Sequence, residues 1–309
     1  MHLGNRNFRF RPQLLALENR SVPSASIAML AGKMSIQADG IASFISVRDD
    51  GKGNVTASVK SAQGIVSAKG SHIGQIAILG GAGNDTVDFR LNGALQSPLE
   101  LDMNLGAGND RAYMDFYPGI VRTSLKVDLH GGAGRDSVEA LFGNMTNANV
   151  SYRAALGDGA DTSDVDLFSG ASGHTKATFD VAGESGADHV NFIAAGKIDS
   201  AAQVTFRAEH ESDANDRLTV RYRGELDGRL NVDVDKAASK YGVQSYFLLD
   251  AASTGSLTAV VRDGSGIYGS TLQVTDHNDG PQRSDIDRLD HYLTETDGTL
   301  VTHFDPTVI

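Results

Sequence analysis

Cysteine and tryptophan are absent from this 309-residue sequence, and aromatic residues make up only 6% of it. Without cysteine there are no disulfides, no thiol nucleophile and no cysteine-ligated zinc, although the compartment is left open. No stretch approaches 18 consecutive apolar residues, so no transmembrane helix is expected. Positive charge is also scarce. Lys and Arg total 27 against 39 Asp and Glu, a formal net charge of −12. That balance argues against nucleic acid and anionic membranes as partners and favours cations. The nine histidines are scattered with no His-x-x-x-His pair, so zinc is not favoured. Hydrophobic residues still reach 40%, enough for a core, and the 35 glycines exceed normal usage.

The glycines recur in a pattern. Gly80-Gly81-Ala82-Gly83-Asn84-Asp85 returns as Leu105-Gly106-Ala107-Gly108-Asn109-Asp110 and as Gly131-Gly132-Ala133-Gly134-Arg135-Asp136. Fainter copies close on Asp161, Asp188 and Asp216, and the closing aspartates stand 25, 26, 25, 27 and 28 residues apart. A fixed period punctuated by glycine-aspartate turns marks a stacked solenoid.

Alternating apolar residues flank each turn. Before it come Leu99, Leu101 and Met103, then Leu125, Val127 and Leu129, then Val150, Tyr152 and Ala154. After it come Val87, Phe89 and Leu91, then Ala112, Met114 and Phe116, then Val138, Ala140 and Phe142. Period-two alternation marks strands with one buried face, and its constant phase predicts side-chain ladders inside one core. Sharp corners need positive φ, which glycine accepts, while Asp and Asn can bond back to the local backbone. The returns between coils, rich in Gly, Asn, Ser and Pro, read as external loops. The expected fold is an all-β, right-handed parallel β-solenoid with coils of about 26 residues and small terminal caps.

The pattern divides the chain into a leader (1–30), an N-terminal cap with a hairpin (31–64), the solenoid (65–275) and a C-terminal cap (276–309). Asp49-Asp50-Gly51-Lys52-Gly53-Asn54 reads as the hairpin turn between Phe44–Arg48 and Val55–Val59. Ile286, Leu289 and Leu293 fall at helical spacing, so 285–295 is expected as a short helix. Thr299 to Phe304 is expected as a last strand.

The corners resemble the calcium-binding nonapeptides of the RTX (hemolysin-type) family, Gly-Gly-x-Gly-x-Asp-x-apolar-x. Gly80 to Asp88 and Gly131 to Glu139 match throughout, and Gly106 to Ala112 matches with Leu105 in place of the first glycine. The resemblance covers about 140 residues. It implies calcium held between corners of successive coils, here in one column because each coil has a single nonapeptide. Calcium takes six to eight oxygens from carboxylates and carbonyls. The candidate metal residues are Asp85, Asp110, Asp136 and Asp161, with Asn84 and Asn109, and with Gly81, Gly83, Gly106, Gly108, Gly132 and Gly134 shaping the corners. A column of like charges about 5 Å apart repels itself, and a divalent cation would relieve that. The alternative is that each aspartate caps its own turn through local hydrogen bonds. For Asp161, Asp188 and Asp216 that alternative is favoured.

Phe10-Arg11-Pro12-Gln13-Leu14-Leu15-Ala16-Leu17-Glu18-Asn19-Arg20-Ser21 resembles the leader of planctomycete extracellular proteins. It implies export, although Leu14 to Leu17 is too short for an ordinary secretory apolar region. Other motifs yield turns. Asp276-His277-Asn278-Asp279-Gly280 lacks the later ligands of an EF-hand loop. The glycine corners lack the Lys-Ser/Thr and helix of a phosphate loop. Arg217, Arg221, Arg223 and Arg229 form one basic concentration, able to face an acidic polymer. The favoured function is a secreted or cell-surface structural or adhesive repeat protein, calcium-stabilised and not an enzyme. Its partners would be calcium and extracellular polysaccharide or other surface proteins. The rival is a β-helix polysaccharide-binding protein or polysaccharide-degrading enzyme, which would need convergent carboxylates beside aromatic platforms.

Overall fold

The computed structural model describes residues 25–210, 216–236, 243–250, 253–263, 271–277 and 299–304. The leader motif and the helix expected at 285–295 lie outside them, as does most of the EF-hand-like segment. Every regular element among the described residues is a strand, and no described helix could cross a membrane. The chain is a parallel β-solenoid, as its periodicity requires.

Its first face is built from Lys33–Gln37, Gln75–Ala82, Leu99–Ala107, Ser124–Ala133, Asn149–Gly159, Lys176–Ala182, Gln203–His210, Arg229–Lys236 and Ser256–Asp263, all in parallel. The second face stacks Phe44–Asp49, Thr86–Leu91, Arg111–Phe116, Ser137–Phe142, Thr162–Leu167, His189–Ala195, Arg217–Gly224, Val243–Asp250 and Thr271–His277 in the same way. Parallel pairing thus begins inside the segment assigned above to the cap. Ser26–Leu30, at the end of the segment expected as leader, lies antiparallel on Lys33–Gln37. Thr299–Phe304 lies antiparallel on Ser256–Asp263 at the other end. Phe44–Asp49, Val55–Ser61 and Gly64–Gly70 form an antiparallel meander that extends the second face. Its tight turn is held by Asp49 and Asp50, whose Oδ1 atoms accept the amides of Gly51 and Lys52, both at 2.8 Å. Antiparallel end strands cover the rims of a stack that otherwise exposes unpaired edges.

The alternating residues named from sequence are all buried, including Val127, Tyr152 and Phe142. Scarce aromatics are concentrated where they matter. Phe89, Phe116 and Phe142 follow one another at ring separations of 5.4 and 5.1 Å. The spine then crosses to Phe179 at 4.9 Å and continues through Phe192 and Phe206. Such ring pairs add to the area they bury, about 0.5–1.5 kcal/mol each.

The returns are not wholly external. Ile120–Val121, Met145–Thr146 and Ala171–Ser172 form a short third face, extended by bridges at Leu95, Ile198 and Leu226. Leu95, Ile120, Met145, Ala171, Ile198 and Leu226 are all buried, so each return sends one side chain into the core. On this flank Lys197 ties turns together, its Nζ lying 2.6 Å from Glu225 and 2.8 Å from Asp227.

Candidate functional site: a column of buried aspartates

The corners between the first and second faces stack in register. Gly81 pairs with Gly106, Gly106 with Gly132, and Gly132 with Gly157. Glycine is required there for two reasons. At Gly106 φ is +102°, and a Cβ would stand 2.0 Å from the Gly81 carbonyl oxygen of the preceding turn. The same close approach recurs at Gly108 against Gly83, at Gly132 against Gly106 and at Gly134 against Gly108. The corner carbonyls of Gly81, Gly83, Gly106 and Gly108 therefore point along the stack at the next turn's glycine. At the first glycine of the motif a Cβ would meet the next turn's carbonyl oxygen, Leu105 at 2.2 Å from Gly80 and Leu156 at 2.1 Å from Gly131, and then the turn's own aspartate Oδ2 at 2.8 Å.

Asp85, Asp110, Asp136, Asp161, Asp188 and Asp216 are brought together as one column, each at most 2% exposed. Their hydrogen bonds are not local. Asp110 Oδ1 accepts the Asp85 amide at 2.6 Å, Asp136 Oδ1 the Asp110 amide at 2.8 Å, and Asp161 Oδ1 the Asp136 amide at 2.7 Å. The series continues with Asp188 and Asp216, and at its head Asp85 Oδ1 accepts the Ser43 amide at 2.7 Å. Each side chain reaches back one turn, while the carbonyls of Asp85, Asp110, Asp136, Asp161 and Asp188 accept from the turn ahead, as from Arg111 to Asp85 at 2.9 Å. The alternative of a cap on the same turn is thereby corrected: the contact lies between turns. Asp161, Asp188 and Asp216 sit in degraded motifs yet keep the same geometry.

Asn84 and Asn109 make a second, exposed ladder of opposite polarity. Asn84 Oδ1 accepts the Asn109 amide and Asn109 Oδ1 the Arg135 amide, both at 2.8 Å. It stops at Arg135, whose side chain has no acceptor to offer the next turn.

Only one oxygen of each carboxylate is used in this way. Oδ2 of Asp85, Asp110, Asp136 and Asp161 is buried with no hydrogen-bond partner among the described residues. Burial pushes the carboxyls of Asp85, Asp110 and Asp161 up to about 6, and raises that of Asp136 as well. Donated backbone amides oppose the shift, and at Asp110 the charges of Asp136 and Asp85 reinforce it. Among the described residues, no group of three or more His, Asp or Glu side chains converges as a metal cage. The basic concentration divides: Arg217, Arg221 and Arg223 are exposed on one strand of the second face, and Arg229 stands on the first.

Fold and column together define a class, the parallel β-solenoid with six turns tied by a ladder of buried aspartates. Comparison with protein-family models, curated proteins and solved structures finds no match to this chain.

Proposed function

We propose that this protein is an exported structural and adhesive repeat module of the cell surface or extracellular matrix. The observation that carries this reading is the continuity of the column: aspartates over six turns, with glycines at the first five corners, are committed to holding one turn on the next. The resemblance of the corners to RTX repeats and of residues 10–21 to planctomycete extracellular leaders supports the same reading. It also supports a location outside the cytoplasm. Fractionation of the native cells, with protease treatment of intact cells, is expected to place the protein at the surface or in the medium. Finding the full-length chain only in the cytosol would overturn the proposal.

A second reading, calcium between turns, is favoured by the buried, unpartnered Oδ2 atoms of Asp85, Asp110, Asp136 and Asp161. Neighbouring turns would offer two such oxygens per gap, and calcium would supply charge neutralisation there. The ladder without calcium makes a different prediction, which depends on pH. A carboxyl whose pKa is raised by folding stabilises the fold while protonated, below about 4, and loses that contribution as pH climbs through about 6. Melting temperature in chelator is therefore expected to be higher at pH 5 than at pH 7. Asp110→Asn keeps an acceptor for the Asp85 amide and removes a buried charge, so it should narrow that difference. Asp110→Ala leaves the amide unsatisfied and should cost about 1–3 kcal/mol. If calcium binds, millimolar calcium should raise melting at pH 7 and Asp110→Asn should abolish the rise. Identical melting in calcium and chelator would leave the hydrogen-bonded ladder alone.

A further inference from the structure

The outward side of the second face carries groups that stacking does not use. Parallel register puts Tyr113, Glu139 and Asp164 in one row and Asp115, Leu141 and Asp166 in the next. Just beyond the strand ends, Tyr117 and Phe168 are 60% and 47% exposed, and their rings meet edge to face at 6.0 Å. The turn between them carries Gly143, so no side chain separates the rings. Seven other phenylalanines of the described residues are buried in the core, and Phe44, 43% exposed, stands alone at the capped end, so Tyr117 and Phe168 are an exposed aromatic pair in mid-rod.

The charge beside these rings is one-sided. Arg111 lies 3.5 Å from Glu139, whereas Asp164 and Asp166 have no ion pair among the described residues. Asp164 accepts a hydrogen bond from Asn191 at 2.7 Å, and Asp166 Oδ1 is buried without a hydrogen-bond partner. The outward side of the first face differs. There Asp102 and Asp128 stand side by side, but from Asp128 onward Arg153, Asp180, Arg207 and Asp233 alternate in sign along the stack, and Lys126 meets Glu100 at 2.5 Å. The second face has its arginines at other turns, Arg90 in register with Asp115 and Arg217, Arg221 and Arg223 on a later strand, so Glu139, Asp164 and Asp166 make a local acidic group near the exposed rings.

We infer that this side of the rod binds an extended polysaccharide bearing amino groups. Tyr117 and Phe168 stack on the apolar faces of sugar rings, and Glu139, Asp164 and Asp166 receive the ammonium groups. Turns repeat about every 4.8 Å, so Glu139 and Asp164, one turn apart, and Tyr117 and Phe168, two turns apart, spread the contacts along an extended chain and not over a single sugar. A basic peptide would satisfy the charge but has no flat apolar faces at that repeat. The inference relies on the adhesive reading only for where such a polymer is met, since binding by the purified chain does not depend on location.

The test is calorimetric titration of the purified full chain at low salt with a glucosamine oligomer, with the same oligomer N-acetylated, and with polylysine. The glucosamine oligomer should bind, and acetylation should weaken binding by about tenfold or more. Tyr117→Ala and Phe168→Ala should each weaken it by about tenfold. Asp164→Asn combined with Asp166→Asn should remove most of its salt dependence. Phe44→Ala, exposed at the far end of the same face, should bind as the unaltered protein does. Far-UV circular dichroism checks that each variant folds. The inference is overturned if the glucosamine oligomer does not bind or the acetylated one binds equally. It is also overturned if the aromatic variants bind undiminished, or if polylysine binds more tightly, which would assign the face to a basic peptide.

Discussion

Val127→Asp is expected to abolish the folded rod or leave it unfolded at modest denaturant. Val127 is 1% exposed and stacks in register between Leu101 and Tyr152. An unpaired carboxylate there has no water and no cationic partner, and such a group costs several kcal/mol, a large fraction of the roughly 5–15 kcal/mol that holds a domain together. Ser151→Asp is the control, because Ser151 is exposed on the adjoining strand and the same charge would point outward. It should shift stability by no more than about 0.5 kcal/mol. Far-UV circular dichroism through a urea titration reads both. Equal unfolding midpoints for the two variants would mean that the interior is not the dry, continuous core described above.

The second large effect concerns the corners. Gly132→Ala should destabilise by more than about 2 kcal/mol, because φ is +109° and the new Cβ would lie 1.8 Å from the Gly106 carbonyl oxygen. Gly64 separates the two causes. Its φ is +135°, but nothing lies within 4 Å of an added Cβ, so Gly64→Ala suffers only the backbone strain. The same urea titration should place Gly132→Ala well below Gly64→Ala. Equal midpoints would show that φ alone demands glycine and that the turns can spread to admit a methyl group.

Much of this architecture is legible in the sequence because strand alternation is a short-range pattern and the recurrence of Asp85, Asp110 and Asp136 is a nearly fixed period. Val87 and Phe89, or Leu125 and Val127, declare their inward direction by spacing alone. The aspartates declare their position but not their bonding. Asp110 Oδ1 takes an amide 25 residues away, and only the stacked structure brings that donor within reach. The third inward row escaped for a different reason. Leu95, Ile120 and Ile198 lie in short polar returns, where no alternation exists to reveal them. A signal was nonetheless present: each stands ten residues after a closing aspartate, at Asp85, Asp110 and Asp188. The exposed pair Tyr117 and Phe168 was invisible for a third reason. The two residues lie in different repeats, and nothing in a linear reading says that Gly143 leaves their rings in contact.

The direction in which the carboxylates reach has a bearing on how the rod is made. Each aspartate satisfies an amide of the turn before it, so a newly synthesised turn completes its predecessor and is itself left incomplete at its own aspartate amide. A chain emerging from its N-terminus would therefore carry its finished part behind and, among the open edge groups of its last turn, an unsatisfied aspartate amide at the growing tip. Such a tip accepts the next repeat in one register only, so the nascent chain acts as its own template. Each added turn needs to search only the length of one repeat, which keeps loop closure short and cheap even as the molecule lengthens.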